Sequence, residues 1–384
     1  MHDRVPDSAP RPPQAPIRPV HLSRAGFLRA AATAALAGGP LLRIPAHAAE
    51  DPLRVSKVAD LTGPGVTTRF RMEATDLGVP VRTPDGRLLF VFGDTFEEAR
   101  VGGGWWRSPV ALYGRFDGPG RQVVWTGAVG GRQARQLVPY DHDNPEYSTV
   151  LPSDVITLGD AMYLHVMVNK GLGNVVRTEI WRSDDSGATW VPTGAVFAPD
   201  VHDGMFQLLT WALGDDGYVY VLSTGFQRDK PVILHRVRPD RLTDPGAYEP
   251  WGRGPDSRWA WGNPPTPVLD GTFGELCLRL LDGRWILTWF NQGDYRIEGL
   301  VADHPTANLR TAHRRTLLWG TSWGNEDDTH VAQLYGGYII PGSTLDDLHL
   351  SVSQWNTKEG WPYHVMQFRV RGLFSAPAPG AARR

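Results

Sequence analysis

Two aspartates that flank one predicted β-hairpin are the first residues in this sequence whose spacing could do chemistry. Asp76 lies in the run TDLG at 75–78, and Asp94 lies in the run FGDT at 92–95. Between them, Asp85-Gly86 separates two apolar runs, a pattern typical of a tight turn because both turn residues tolerate positive φ. Pairing the strands outward from a two-residue loop puts Asp76 opposite Thr95 and one residue from Asp94. The two carboxylates should then lie within ~5–8 Å of each other.

A carboxylate pair at this separation points to acid–base chemistry. Like charges that lie close repel each other, which raises one pKa and separates the pair into an acid and a base. Glycoside hydrolysis uses such a pair, at ~5–5.5 Å for retention or ~6.5–9.5 Å for inversion of the anomeric centre. The alternative is purely structural, with Asp76 capping the start of a strand and Asp94 holding the turn after Gly93.

The elements that must position this pair are a series of hairpins. From residue 49 onward the chain repeats an apolar strand, a tight turn and another apolar strand, with no amphipathic helix between the repeats. The predicted turns are Asp85-Gly86, Gly159-Asp160, Asp216-Gly217, Asp282-Gly283 and Asp346-Asp347. Five hairpins at a long, regular period predict an all-β, five-bladed β-propeller of the sialidase/arabinanase-like kind, in which ring closure removes exposed sheet edges. A two-sheet sandwich is the other architecture considered, and the long period disfavours it.

The segment Ser183–Trp190 matches the Asp-box pattern S-x-D-x-G-x-T-W. In this motif the aspartate binds backbone groups of a turn, the glycine supplies a special dihedral angle, and the tryptophan packs between sheets. We expect a structural role for it, in the outer hairpin of the second blade.

Further candidates follow from the propeller itself, because ligands usually sit over the central channel near one end of the innermost strands. Glu275 is predicted as a third catalytic residue, since it stands where a buried strand starts and needs a polar cavity or a partner such as Arg279. Trp105 and Trp106 are predicted to form either a sugar-stacking rim or a hydrophobic clasp. The full set of predicted substrate-binding residues is Glu146, Asp154, Gln207, Trp105, Trp106, Asn291, Tyr338, Gln354 and Trp355.

Composition limits the partners. The 384 residues carry a formal net charge of −2 and no basic run, which argues against nucleic acid. The 15 tryptophans fit a surface that stacks on sugars, although many will be core. Cys277 is the only cysteine, so no intrachain disulfide can form, and we expect a buried, inert thiol. No cofactor or metal ligand is predicted: the His/Asp loops at 140–143 and 200–203 match no metal-site template, and a structural cation in the channel lacks support.

The N-terminal residues predict export. Residues 1–48 read as a disordered start followed by a signal, with SRAGFLR at 23–29, an apolar run at 30–42 and a small-x-small cleavage pattern at 46–48. The signal is twin-arginine-like, except that Ala25 stands where a second arginine belongs. We expect a monomeric single domain at 49–375 and a disordered tail at 376–384, with no membrane association after cleavage.

Several short runs together resemble one bacterial family, the endo-D-arabinanases that cut the D-arabinan of mycobacterial arabinogalactan and lipoarabinomannan. The runs are TDLG at 75–78, FGDTF at 92–96, RSDD at 182–185, DPGAY at 244–248, GEL at 274–276, SQWN at 353–356, PY at 362–363 and VM at 365–366.

The resemblance implies a five-bladed propeller, hydrolysis of α-linked D-arabinofuranose and a catalytic pair matching Asp76 and Asp94. The run Pro152-Ser153-Asp154 departs from the family pattern, which leaves the role of Asp154 open. A non-catalytic glycan-binding propeller and a sialidase-like exoglycosidase, the latter resting on the Asp-box, are the alternatives.

Overall fold

The computed structural model describes residues 53–171, 173–356 and 360–373, except for the side chains of residues 356 and 361. The predicted export signal in residues 1–48 and the predicted tail at 376–384 lie outside this part of the chain. Apart from β-strands, the described residues form four short 3-10 helices: Thr68–Phe70, Pro239–Arg241, Pro245–Ala247 and Leu309–Thr311. None of the helices is long and apolar enough to cross a membrane.

The strands are arranged in five sheets, which are the blades of a propeller. The first strand of the chain is β1 (Arg54–Asp60). Blade 1 consists of β2 (Ala74–Arg82), β3 (Leu88–Phe96), β4 (Trp106–Arg107), β5 (Val110–Arg115) and β6 (Val124–Ala128). Blade 2 consists of β7 (Thr149–Leu158), β8 (Ala161–Asn169), β9 (Val175–Ser183) and β10 (Val191–Phe197).

The other blades follow in chain order. Blade 3 consists of β11 (Leu208–Leu213), β12 (Val219–Thr224), β13 (Ile233–Val237), β14 (Glu249–Arg253) and β15 (Trp259–Trp261). Blade 4 consists of β16 (Phe273–Leu281), β17 (Arg284–Asn291), β18 (Arg296–Ala302), β19 (His313–Thr321) and β20 (His330–Ala332). Blade 5 consists of β21 (Leu334–Ile339), β22 (Asp347–Asn356), β23 (Trp361–Arg371) and β1, which pairs with β23 and so closes the ring.

The innermost strands are β2, β7, β11, β16 and β21, and each contacts the next around the ring, with β21 returning to β2. This arrangement confirms the predicted five-bladed propeller. Each predicted turn lies at the connection between the first two strands of a blade, although Asp347 in the fifth is already the first residue of β22. In two cases the loop is the predicted pair of residues: Leu158 pairs with Ala161 across Gly159-Asp160, and Leu281 pairs with Arg284 across Asp282-Gly283.

The core lies between neighbouring blades. Both faces of a blade are covered, so its central strands are continuous apolar runs rather than alternating ones, as in the fully buried segment 88–92 of β3. Cys277 is buried in the same way on β16, as predicted. The Asp-box connects β9 to β10 in blade 2: Asp185 accepts hydrogen bonds from Thr189, and the buried Trp190 donates to the carbonyl oxygen of Gly187. These contacts give it the expected structural role.

The first hairpin differs by one residue from the predicted register. Its loop contains three residues, Pro84-Asp85-Gly86, because the Thr83 amide donates to the carbonyl oxygen of Arg87 and Gly86 has a φ of 86°. As a result Thr95 pairs with Thr75 and not with Asp76. The prediction of Asp76 opposite Thr95 was therefore wrong.

Irregularities recur on the innermost strands where acidic and aromatic side chains turn toward the axis. The pairing register shifts at Asp76–Gly78 on β2, at Ser153 on β7, at 274–275 on β16 and at Gly337 on β21. A β-bulge inserts an extra residue and re-aims the neighbouring side chains. The bulges thus let strands with otherwise apolar faces present polar groups at the channel.

Candidate active site

Asp76 occupies the bulge of β2 and is almost completely buried, with 8% of its surface exposed. Its Oδ2 accepts a 2.8 Å hydrogen bond from the hydroxyl of Tyr335, whereas its buried Oδ1 accepts none from the described residues. Oδ1 lies against the backbone of Gly93 on β3, where a Cβ atom would collide with it. Only glycine at position 93 therefore allows the carboxyl group to lie across the hairpin.

The backbone beside Asp76 is held in an unusual conformation. Leu77 and Gly78 both have positive φ, 65° and 75°, which is uncommon for a leucine. Ser353 on β22 accepts a 2.8 Å hydrogen bond from the Leu77 amide, and Ser351 donates a 2.6 Å bond to the carbonyl oxygen of Gly78. Blade 5 thereby fixes the bulge that aims Asp76.

Asp94 lies on β3 at the same end of the hairpin and is partly buried. Its Oδ1 accepts hydrogen bonds from the indole Nε1 of Trp106 at 2.9 Å and from the hydroxyl of Thr149 at 3.1 Å. Trp106 stacks on His142 with ring centroids 3.5 Å apart. Donors from blade 1 and from the start of blade 2 therefore orient this carboxylate.

Electrostatics separates the two aspartates. Within the described chain, neither forms an ion pair with an arginine or lysine. Burial, followed by the charge of Asp94, raises the pKa of Asp76 well above its usual range, and the Tyr335 hydrogen bond only partly opposes this. Burial also raises the pKa of Asp94, but hydrogen bonds from Trp106 and Thr149 oppose it. Asp76 is therefore the group that holds a proton, and Asp94 is the better anion.

Glu275 lies beside this pair on β16 and is 7% exposed. Arg228, from the loop between β12 and β13, donates to its Oε1 at 2.5 Å, and the Gly336 amide donates to Oε2 at 3.3 Å. The Arg228 guanidinium also lies over the Tyr335 ring, 5.4 Å from its centroid. The charge of Glu275 raises the pKa of Asp76 and that of Arg228 lowers it, so this ion pair acts on Asp76 with two opposed charges.

A row of aromatic rings runs along the same end of the blades. Trp355 lies 5.7 Å from Tyr363, Tyr363 stacks on Phe96 at 6.2 Å, and Phe96 stacks on Trp106 at 5.9 Å. His142 extends the row beyond Trp106. These rings, called the aromatic row below, form a packed cluster next to Asp94, in which Phe96 and Tyr363 are buried and Trp106 and Trp355 are partly exposed.

Comparison with known proteins gives this chain a family. Residues 62–369 match DUF4185, a family described as a domain of unknown function. The chain belongs to the DUF4185 family. A 35.9 kDa protein of Mycolicibacterium smegmatis is 31% identical over 338 residues, which are 83% of this chain and 98% of that protein. Notoamide biosynthesis cluster protein J′ of Aspergillus versicolor is 31% identical over 323 residues, covering 75% of this chain and 83% of that protein.

Solved structures show how the DUF4185 propeller relates to other folds. A protein of Bacteroides ovatus superposes with a TM-score of 0.57 at 14% identity, covering 87% of this chain and 96% of that one. The GH43_1 enzyme from Xanthomonas citri, complexed with xylose, superposes with a TM-score of 0.50 at 14% identity, covering 81% and 89%. The DUF4185 chain thus shares its fold with glycoside hydrolases.

The DUF4185 site corrects two sequence-based predictions. Asp154 has no exposed side-chain surface, and both of its oxygens accept hydrogen bonds from Arg279 at 3.0 Å. Thr210 adds a 2.6 Å bond, so no direction is left for a substrate. Asp154 is more completely buried than Asp76 because it lies midway along its strand and not near the strand's end. Arg279 is thereby the partner of Asp154 and not, as considered above, of Glu275.

Three other predicted substrate-binding residues already have polar side-chain partners in the fold. Gln207 bonds the backbone of Pro199 and Phe226, and Asn291 bonds Asp294 and Glu298. Gln354 donates to Glu326 and to the backbone of Ala332, and Glu146 is exposed on the loop before β7. Tyr338 is buried deeper on β21 than Tyr335.

The two adjacent tryptophans separate. Trp106 joins the aromatic row, whereas Trp105 is 37% exposed and lies under the guanidinium groups of Arg71 and Arg107. Trp355 lies at the other end of the aromatic row. The structure therefore places Trp106 and Trp355 near the acid pair, whereas Trp105 lies away from it. Among the described residues, no group of three or more His, Cys, Asp or Glu could hold a metal ion.

Several residues of the site were missed in the sequence. Tyr335 lies near the N-terminal end of an innermost strand, where polar residues were sought, but it was given no role. The bulge at Gly336-Gly337 interrupts the apolar run of this strand, so the sequence pattern did not indicate that Leu334 and Tyr335 belong to it. Tyr363 stood in a family-like run but was given no role. Arg228 lies in a loop with no pattern that would have marked it.

Proposed function

We propose that this DUF4185 protein is an exported, endo-acting glycoside hydrolase that cuts polymers of α-linked D-arabinofuranose. The observation that carries the proposal is the carboxyl pair of Asp76 and Asp94 on one hairpin, both with raised pKa and neither paired with a cation of the described chain. A structural acid is normally neutralised by a partner, as Asp154 is by Arg279. Asp76 and Asp94 instead have the environment of a catalytic pair.

The different surroundings of the two groups give each a role. Asp76 keeps its proton because it is the more deeply buried and adjoins a second carboxylate, so it acts as the general acid. Asp94 is ionised because Trp106 and Thr149 donate hydrogen bonds to it. It acts on the anomeric carbon as base or nucleophile.

In the reaction, Asp76 transfers its proton to the glycosidic oxygen while the bond from that oxygen to the anomeric carbon breaks. Asp94 either takes a proton from the attacking water or forms the new bond to the anomeric carbon itself. In the second case, water later hydrolyses the ester, and Asp76 takes back the proton from that water. Tyr335 keeps the Asp76 carboxyl group oriented throughout, since its own pKa is raised by burial and it remains a donor.

The aromatic row supports a polymeric sugar substrate. Sugar rings present apolar C–H faces that pack on aromatic side chains, and two rings of the row, Trp106 and Trp355, are partly exposed. The choice of D-arabinan rests on the family resemblance of the motifs at 75–78 and 92–96, which are the segments that carry the acid pair. Export rests on the signal pattern in residues 1–48.

Incubation of the purified protein with mycobacterial arabinogalactan tests the proposal. We expect oligosaccharides of several lengths, since an endo-acting enzyme cuts within the chain. Release of single sugars only would point to an exo-acting enzyme. Retention on the polymer without any products, across several arabinans and pH values, would favour a glycan-binding propeller and contradict the proposed hydrolysis.

A further inference from the structure

A cleft of about 580 Å³ opens beside blade 5, next to the candidate active site but separate from it. One wall is formed by the ends of β1 and β23, and the facing wall by residues 323–331, between β19 and β21. The segment 62–66, which follows β1, closes one side. Neither Asp76 nor Asp94 lines this cleft, so the chemistry proposed above does not account for it.

The cleft and the aromatic row share the same strands. Side chains alternate between the two faces of a strand. On β23, Pro362 and His364 line the cleft, whereas Tyr363 between them stacks on Phe96. On β22, Gln354 lines the cleft while Trp355 contacts Tyr363. The cleft and the aromatic row therefore lie on opposite faces of β22 and β23.

The polar groups of the cleft are held in place by contacts with one another. Lys57 lies 2.7 Å from Asp60, and Gln354 donates to Glu326 at 2.7 Å. Trp323, half-buried, adds aromatic surface. Fixed hydrogen-bonding groups next to an aromatic face are what a polyhydroxylated ligand needs, since the former bind its hydroxyls and the latter its C–H surface.

Charge narrows the class of ligand. The lining contains Asp60, Glu326, Asp327 and Asp328 but only one lysine, so an anionic chain would be repelled. A metal ion is also disfavoured, because no group of three or more ligating side chains in the described residues is arranged to hold one. A neutral sugar chain is the ligand that fits both facts.

We propose that this cleft is a distal binding site for a neutral glycan, holding a stretch of the polymer several sugars away from the bond that is cut. The inference rests on the proposed function for the identity of the polymer. The cleft binds the chain, and the acid pair cleaves it. The cleft consequently favours long substrates over short ones.

The test compares Trp323→Ala and His364→Ala with the wild type, using Trp319→Ala as a matched control. Trp319 lies on the neighbouring strand β19, is 42% exposed and does not line the cleft. For the two cleft variants we expect the kcat/KM on polymeric D-arabinan, divided by that on a short arabino-oligosaccharide, to fall about fivefold or more. The control should keep the wild-type ratio.

Binding is measured separately by affinity electrophoresis in gels containing D-arabinan, in the Asp94→Asn background. We expect weaker retardation for both cleft variants and none of this loss for the control. Equal losses on long and short substrates, or unchanged retardation, would overturn the distal site even if the wild type cleaves arabinan. Retardation that depends on the cleft without any cleavage by the wild type would instead contradict the hydrolase and leave the cleft standing.

Discussion

The hydroxyl of Tyr335 donates a 2.8 Å hydrogen bond to Oδ2 of Asp76, which joins the last blade of the propeller to the first. The contact is possible because the ring of blades closes and brings β21 beside β2. Tyr335 is also covered by the Arg228 guanidinium, which is itself paired with Glu275. Residues from three further blades thus determine the environment of one carboxyl group on blade 1.

Removing the Tyr335 hydroxyl should change the pH dependence of the reaction. The hydrogen bond lowers the pKa of Asp76, so Tyr335→Phe raises that pKa. Activity depends on protonated Asp76, so the basic limb of the kcat/KM profile moves to higher pH. The free energy of unfolding falls by about 1 kcal/mol for the lost bond. Tyr338→Phe is the control, since Tyr338 is a buried tyrosine of the same strand and makes no hydrogen bond to Asp76 in the described structure. An identical profile for wild type and Tyr335→Phe would show that the contact does not act on the acid.

The two members of the Arg228–Glu275 pair should shift the same limb in opposite directions. Glu275→Gln removes a charge that raises the pKa of Asp76, so the basic limb moves to lower pH. Arg228→Gln removes a charge that lowers it, so the limb moves to higher pH. Both variants also lose about 1–3 kcal/mol of stability with the charged hydrogen bond.

The double variant Arg228→Gln/Glu275→Gln provides the control for this pair. Its basic limb should return toward that of the wild type, since both charges are gone. Shifts of the same sign in the two single variants would contradict an electrostatic action on Asp76 and would point to a general disturbance of the site.

Gly93 is required by the close approach of the Asp76 carboxyl group. In Gly93→Ala the new Cβ would collide with Oδ1 of Asp76 and lie 3.0 Å from Cδ1 of Leu77. Displacement of the acid by a fraction of an ångström to an ångström should lower kcat by about 10²-fold. Gly127→Ala, on β6 with open space around its Cβ, should match the wild type. Full activity of Gly93→Ala would mean that catalysis does not require the Asp76 carboxyl group to lie across the hairpin.

The buried Asp154–Arg279 pair should matter for stability and not for the chemical step. Asp154→Asn leaves the Arg279 charge buried without its partner, which should cost about 3–5 kcal/mol in the free energy of unfolding. Denaturant unfolding measures this, and Asp154→Asn/Arg279→Met should recover part of the loss. A stable Asp154→Asn protein that has lost all turnover would instead give Asp154 a role in catalysis.

Local signals in the sequence were enough to predict the blades. The turns at Gly159-Asp160 and Asp282-Gly283 have the predicted loops, because each dipeptide directly separates two apolar runs. At Asp85-Gly86 the preceding Pro84 joins the loop, which moves the register by one residue. The two aspartates nevertheless meet, because the bulge at Leu77 turns Asp76 back across the hairpin toward Gly93.

Contacts between blades were beyond the sequence patterns. Arg228 pairs with Glu275 between the neighbouring blades 3 and 4, and Arg279 of blade 4 pairs with Asp154 of blade 2; both pairs join residues that are far apart in the chain. The period of the hairpins predicts which residues lie on the innermost strands. It does not predict how deeply each side chain is buried. The burial of these side chains depends on the β-bulges, and the bulges depend on packing between blades. An example is the bulge at Leu77 and Gly78, which is held by Ser351 and Ser353 of β22.

The most direct test of the central claim is the turnover of D-arabinan by Asp76→Asn and Asp94→Asn, measured together with their melting temperatures. We predict that each amide lowers turnover by about 10²-fold or more while the fold is retained. Because the pKa of Asp76 is raised in the folded state, the wild type loses stability as the pH rises from the ordinary aspartate range toward that raised pKa, so Asp76→Asn should melt no lower than the wild type at neutral pH, and the difference should disappear in acid. Lowered melting temperatures with nearly normal turnover in the folded protein would contradict the account and make the hairpin acids structural.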